Sequence, residues 1–166
     1  MKDILLQFDK TIKSIGKKFV QRFRKELEQQ DHVATGRLSD TLHYDLEEGK
    51  SFVLFKVKTF ADYAHLVNEG QKPFSPNVDA IMDWMDAKKI PYSSQSEKVS
   101  IANAIVRRIA AEGIPTKGSY QFSFNGFRTG FINRVVGSNE RHFLNDIETS
   151  ISKDIDNIFK DIPKKL

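Results

Sequence analysis

Seven apolar residues, Ile4, Phe8, Ile12, Ile15, Phe19, Phe23 and Leu27, recur along the first segment of the chain at spacings of 4, 4, 3, 4, 4 and 4. That is the period of an α-helix. A stripe sustained over so many turns predicts one long amphipathic helix whose apolar face the rest of the chain must cover. The far side carries Lys10, Lys13, Lys17 and Arg24 as a basic stripe. Charge is concentrated here: residues 1–30 hold eight basic and four acidic side chains, whereas residues 31–166 hold 18 of each. The formal charge of +4 and the pI near 9.2 therefore belong to one helix on a neutral body. Such a stripe reads either as the solvated side of a packing helix or as a surface for an acidic partner or nucleic acid.

The periodicity then changes. Ala34-Thr35-Gly36-Arg37-Leu38 is a turn-like break, and Leu42, Tyr44 and Leu46 alternate with polar residues as a half-buried strand. Glu47-Glu48-Gly49-Lys50 supplies a turn before a second strand, SFVLFKVK at 51–58, so the pair predicts a β-hairpin. FADYAHLVNE at 60–69 turns helical, with Gly70 placed to end it. A short helix is expected after Ser75-Pro76, with Pro76 in its first turn. A longer one carries Ile101, Ile105 and Ile109 behind a capping-box pair, Ser94 and Glu97. Tyr120, Phe122 and Phe124 run through Asn125-Gly126 into Phe127, Thr129 and Phe131 at a period of two, the pattern of a second hairpin. That segment, rich in glycine and carrying Lys117, Arg128 and Arg134, reads as an interaction arm or as completion of the sheet. Phe143, Ile147, Ile151, Ile155, Ile158 and Ile162 mark an acidic closing helix. It is expected to pack beside the first helix or to face it across a subunit boundary. The expected fold is α+β. Long N- and C-terminal amphipathic helices pack on a small antiparallel sheet of hairpins in a single domain over 1–166, with a helical insertion at about 77–112 and a possible hairpin arm at about 118–135.

Composition excludes several classes. The chain has no cysteine, which removes disulfides, thiolate metal sites and a cysteine nucleophile. No apolar run approaches the roughly 20 residues of a spanning helix, and MKDILLQFDK lacks the form of a signal peptide, so no membrane partner is expected. Of its aromatic residues 13 are Phe, which suit a core or a subunit interface because they bury without needing a hydrogen-bond partner. The four histidines, His32, His43, His65 and His142, lie in different elements without metal spacing. Ser14-Ile15-Gly16-Lys17 matches S-x-x-K only in isolation, and Gly16-Lys17 lacks the upstream glycine of a phosphate loop. Glu47-Glu48 and Asp79, Asp83 and Asp86 fall where solvated carboxylates are expected. No nucleophile, base and orienting group assemble, so neither an enzyme nor a cofactor is expected.

ATGRLSDTL at 34–42, the hairpin, FADYAHLVNEG at 60–70 and IANAIVRRIAAEGIP at 101–115 together resemble the tail-completion (neck, head–tail joining) proteins of tailed bacteriophages. The likeness covers most of the chain. It rests on a "TG-x-L-x-x-S/T" turn and a "YA-x-x-V/I-E-x-G" helix end, the latter met here by Tyr63, Ala64, Val67 and Gly70 with Glu-Gly at 69–70 in place of Glu-x-Gly. Gln71 stands where such proteins commonly carry Thr, and Pro73-Phe74 here precedes an extra helix over 77–89. The position in the neck thus stays open between tail completion, stopper and tail-tube terminator.

The resemblance implies a non-enzymatic α+β virion protein of the neck or tail, assembled in the bacterial cytoplasm as a ring of 6 or 12 copies. Its partners would be itself, the portal or adaptor, and tail-tube or tail-hub proteins, with sequence-independent contact to DNA in the lumen. Gly36 and Gly70 would set backbone turns, and Tyr63 and Val67 would pack the short helix on the sheet. Interface or DNA-facing candidates are Lys10, Lys13, Lys17, Arg24, Phe122, Phe124, Phe127 and Arg128. The competing reading is a small basic nucleic-acid-binding module using the N-terminal helix and the 118–135 hairpin.

Overall fold

A computed structural model of the chain describes residues 2–49, 52–137 and 140–161. Its side-chain description leaves out positions 2–9, 48, 53, 140, 142, 143, 158, 159 and 161. The stripe positions Ile4, Phe8, Phe143, Ile158 and Ile162, and the imidazole of His142, lie outside what is described.

The N-terminal stripe forms α1 (Lys2–Gln29), about 42 Å long at 1.5 Å per residue. Around it are arranged α2 (Arg37–Thr41), β1 (His43–Glu48), β2 (Val53–Lys58), α3 (Ala64–Glu69), α4 (Val78–Ala87) and α5 (Gln95–Glu112). A 3-10 turn (Lys117–Phe122), α6 (Phe131–Gly137) and α7 (Glu140–Asp161) complete the order. The fold is α+β, as expected, with α1 as its spine against α2, β1, α6 and α7. Among the described residues no helix is long and apolar enough to cross a membrane.

The core follows the stripe. Val20, Phe23 and Leu27 of α1 are buried with Leu38, Leu42, Ala61, Phe131 and Val135. Phe23 meets Phe19 edge-on at 5.2 Å between ring centroids and Phe131 at 6.2 Å. These are favourable aromatic geometries. Tyr63 and Val67, expected to pack the short helix on the sheet, are partly buried against this cluster of α1, α2 and α6 residues.

β1 and β2 pair antiparallel from His43↔Lys58 to Glu48↔Val53. Alternation turns Tyr44 and Val57 towards the core. Asp45 and Glu47 pair with Lys58 and Lys56 on the opposite face, where the Lys58 ammonium holds the Asp45 carboxyl below its usual range. Arg22 pairs with Asp146 at 2.6 Å, so the basic and acidic helices α1 and α7 are neighbours within one subunit. Of the α7 stripe, Ile147 and Ile151 are half-buried, whereas Ile155 is exposed and Asp154 is buried instead.

The insertion is a helical hairpin of α4 and α5. It is closed at its base by an isolated bridge in which Gln71 and Ile114 exchange both backbone bonds, at 2.6 and 2.8 Å. Gly70 enters the bridge with φ +78 and ψ −178, an extended positive-φ conformation that only glycine tolerates, and a Cβ there would lie 2.6 Å from the Ile114 carbonyl. Position 70 thus demands glycine more strictly than a helix end alone. Gly36 precedes α2 at φ +80, as its turn role requires.

Ser94 caps α5 by accepting from the Glu97 N–H at 3.2 Å. Glu97 returns a bond to the Ser93 N–H at 2.6 Å, one residue before the expected partner. Asn77 rather than Pro76 borders α4, accepting from the Asp79 N–H at 2.7 Å, so Pro76 lies outside the helix.

The second hairpin is not formed. Residues 117–122 close a 3-10 turn, and α6 begins at Phe131. Strand pairing fails because the backbone donors are engaged elsewhere. The Ser123 N–H donates to Tyr120 and the Phe124 N–H to Gln29 at the end of α1. The Gly130 N–H donates to Asn68. Asn125 turns its own side chain back to accept from the Phe127 N–H at 3.1 Å, so Asn125-Gly126 makes an Asx turn rather than a type I′ hairpin. The period of two in the sequence thus reflects an exposed loop running into a helix, not an arm of two strands.

Candidate functional site

Three features are built around α1: its capped C-terminal end, an aromatic loop held on that end, and a groove on its basic side.

The helix ends without glycine, with Asp31 at φ +56. A helix end leaves carbonyls unpaired and carries partial negative charge, so donors and cations collect there. The Gln29 carbonyl accepts from the Phe124 N–H at 2.8 Å and the Ser123 hydroxyl at 3.2 Å. The Gln30 carbonyl accepts from Arg128 Nη1 at 2.7 Å, and the Asp31 carbonyl from Lys88 Nζ at 3.0 Å. Lys88 and Arg128 also pair with the Asp31 carboxylate at 2.6 and 3.2 Å. One turn earlier, Glu26 Oε1 accepts from Gln30 Nε2, Asn125 Nδ2 and Arg134 Nε at 2.8, 3.0 and 2.8 Å. His32 donates from Nε2 to the Arg128 carbonyl at 2.9 Å. Burial, then the Arg128 guanidinium, lower its pKa to about 4.

This end is where the insertion, the aromatic loop and α6 are fastened to the spine. Arg128, expected at an interface, is therefore an internal clamp. Arg24 is likewise committed to the fold, donating from Nε and Nη2 to the Ser39 and Leu42 carbonyls at 3.0 Å each.

The loop carried on this anchor exposes its rings. Phe124 is 87% exposed, Phe122 60% and Phe127 46%, and Tyr120 is also exposed. Arg134 stacks over the Phe127 ring at 3.5 Å while holding Glu26, so that ring has one face covered. The three phenylalanines chosen from the sequence thus occupy one anchored surface, although not on strands.

The groove, of about 300 Å³, lies between α1, β1 and the end of α2, lined by Lys17, Val20, Gln21, Arg24, Leu42 and Tyr44. Lys10 and Lys17 extend from this side of α1 as exposed cations, and the Lys13 carbonyl accepts the Tyr44 hydroxyl at 3.1 Å. The Tyr44 ring lies across the backbone of Gly16, where a Cβ would come within 2.6 Å of it. Gly16 is thus a seat for a ring. A lone glycine inside an amphipathic helix, disfavoured there by about 1 kcal/mol, was the signal. Asp31, Lys88, Glu26 and Asn125 carried no such signal, because only the folded chain brings them together.

His43 donates from Nδ1 to the Thr41 carbonyl at 2.9 Å and stacks on Phe60, and His65 donates to Asp62 at 3.0 Å. Among the described residues no group of three or more histidine, aspartate or glutamate side chains is placed to hold a metal ion. No protein family, curated protein or solved structure matches the chain.

Proposed function

We propose that the protein is a non-enzymatic structural subunit of a bacteriophage neck, a homo-oligomeric ring of 6 or 12 copies joining the portal or adaptor of the head to the tail. The observation that carries this reading is Phe124: its ring is 87% exposed while its own amide is bonded into the end of α1. Exposed apolar rings on a mobile tail suggest little. The same rings on a backbone fixed by hydrogen bonds form a pre-ordered contact surface, which loses little entropy on docking. Ring symmetry repeats each such contact around the assembly. The resemblance of the motifs at 34–42 and 60–70 to neck proteins is what supports the specific assignment. In this reading the partners are further copies, portal or adaptor, and tail proteins. The protein resides in the virion after assembly in the bacterial cytoplasm, and lysines that reach the lumen touch DNA without reading its sequence.

The nucleic-acid module is the weaker reading, since Arg24 and Arg128 have their guanidinium groups engaged by backbone carbonyls. Native mass spectrometry and electron imaging of the purified chain test the proposal. Closed rings are expected, and replacing Phe122 and Phe124 by Asp should yield folded monomers. A chain that stays monomeric at every concentration, or a double variant that assembles as before, overturns it.

A further inference from the structure

The basic groove on α1 has an apolar floor and a cationic rim. Val20 and Leu42 are buried beneath it, the Tyr44 ring forms one wall, and Lys17 and Gln21 are exposed above. At about 300 Å³ it sits at the small end of ligand cavities and suits one bulky side chain flanked by negative charge. The same chain displays such a ridge. α4 carries three aspartates and no basic residue. Asp86 is exposed too, but its carboxylate is engaged by Lys98 at 2.7 Å and Tyr92 at 3.1 Å. Asp79, Ala80, Asp83 and Trp84 are exposed along the outer face, and among the described residues neither Asp79 nor Asp83 has a side-chain partner. Trp84 is the chain's one tryptophan and is 39% exposed. Large aromatics seated in desolvated pockets are the usual anchors of protein interfaces.

The geometry points to the α4 ridge of one copy docking in the α1 groove of the next, with Trp84 in the pocket and Asp83 against Lys17. The acidic helix α7 is a poorer occupant, because it also carries Arg141, Lys153 and Lys160 and already lies against α1 of its own subunit. Within one copy, Lys88 fastens the end of α4 to Asp31, past the C-terminal end of α1, whereas the groove lies further back along that helix between Lys17 and Arg24. The ridge and the groove are different surfaces, so the contact is head-to-tail and propagates into a closed ring or a filament. This inference rests on the ring reading and specifies one of its contacts.

A charge swap tests it, with Trp84 fluorescence as a local reporter. The wild-type chain should oligomerise with a blue-shifted emission. Lys17→Glu and Asp83→Lys should each give monomers with red-shifted emission and unchanged circular dichroism, and the double variant should regain both the oligomer and the blue shift. Oligomers that survive each single reversal overturn the contact while leaving the ring intact. Folded single variants that the double fails to rescue also overturn it. A wild-type chain monomeric at all concentrations removes the ring reading and this contact together. If Lys17→Glu abolishes binding to duplex DNA while the oligomer persists, the groove serves DNA and the assignment is wrong. Because the chain lacks cysteine, Gln21→Cys with Ala80→Cys gives a second measurement that leaves Lys17 and Asp83 in place. Oxidation should produce a ladder of covalent multimers where either single variant stops at dimers, and a missing ladder overturns the contact.

Discussion

Phe23 and Phe124 are the same side chain in opposite settings, 4% and 87% exposed. Phe23 is held by its ring: Phe19, Phe131 and the aliphatic core surround it, and its backbone is ordinary helix. Phe124 is held by its backbone, through the hydrogen bond its N–H donates to the Gln29 carbonyl and the Ser123 and Asn125 contacts beside it, while the ring stands in water. Burying a Phe side chain is worth roughly 1.5–3 kcal/mol. The core collects that contribution on folding. The loop forgoes it in the isolated chain.

The largest effect expected from this contrast comes from truncating the two rings in turn. Phe23→Ala should destabilise the subunit by about 3–5 kcal/mol through lost burial and the cavity left between α1 and α6. Phe124→Ala should leave unfolding within about 0.5 kcal/mol of the wild type, since it removes no buried contact. Urea denaturation of each variant at a concentration where the chain is monomeric makes the comparison. A loss above about 1 kcal/mol for Phe124→Ala would show that the loop belongs to the core and would erase the distinction.

The same contrast explains how far the fold could be read from the sequence. Ile12, Ile15, Phe19, Phe23 and Leu27 declared their helix, and Tyr44 and Val57 their hairpin, because burial on one face imposes a period that survives in the sequence. The loop at 117–130 displays a period of two without burying a face. Its conformation is set by which carbonyls of Gln29, Gln30 and Asn68 its donors reach. Those acceptors lie far away in sequence, and nothing local announces them. The engagement of Arg24 and Arg128 is hidden for the same reason: a cation on a stripe or in a glycine-rich stretch reads as free until the helix ends it caps are in place. Phe122, Phe124 and Phe127, expected to reach an interface on a hairpin arm, are exposed, but the strands expected to carry them do not form.

A middle-sized effect is expected at the anchor itself. With a folded-state pKa near 4 against 6.5 for a free imidazole, His32 is held neutral beside Arg128 and Lys88. Between those values the unfolded chain binds more protons than the folded one, so acid favours unfolding. The stability due to neutral His32 is complete above about pH 6.5 and is lost as pH falls towards 4. After discounting for the solvent that still reaches the ring, the loss is about 1–2 kcal/mol. Urea midpoints measured from pH 7 to pH 4.5 should fall, and His32→Gln, which can still donate to the Arg128 carbonyl without titrating, should flatten that decline. An equal decline in the variant would assign it to the carboxylates instead. The aromatic loop should loosen with the anchor, so protection of the Phe124 amide against hydrogen exchange should drop over the same window, whereas protection within α1 around Phe23 should not.

The smallest effect concerns the groove side of α1, where backbone and ring again trade roles. Gly16 to Ala is a substitution that helix propensity alone favours by about 1 kcal/mol. Here the added methyl would come 2.6–2.9 Å from three atoms of the Tyr44 ring. The Tyr44 hydroxyl is bonded to the Lys13 carbonyl at 3.1 Å, so the ring has little room to yield. Overpacking of this kind costs about 1–3 kcal/mol. The two terms oppose, and the steric one should win by about 1 kcal/mol, lowering the melting temperature of Gly16→Ala. Tyr44→Val removes the ring, so adding Gly16→Ala to that background should be neutral or stabilising, with the propensity gain restored. A double-mutant cycle with that sign places the hairpin on the helix through this one contact. A stabilising Gly16→Ala in the wild-type background would mean the ring does not rest there, and the wall that Tyr44 gives the groove would go with it.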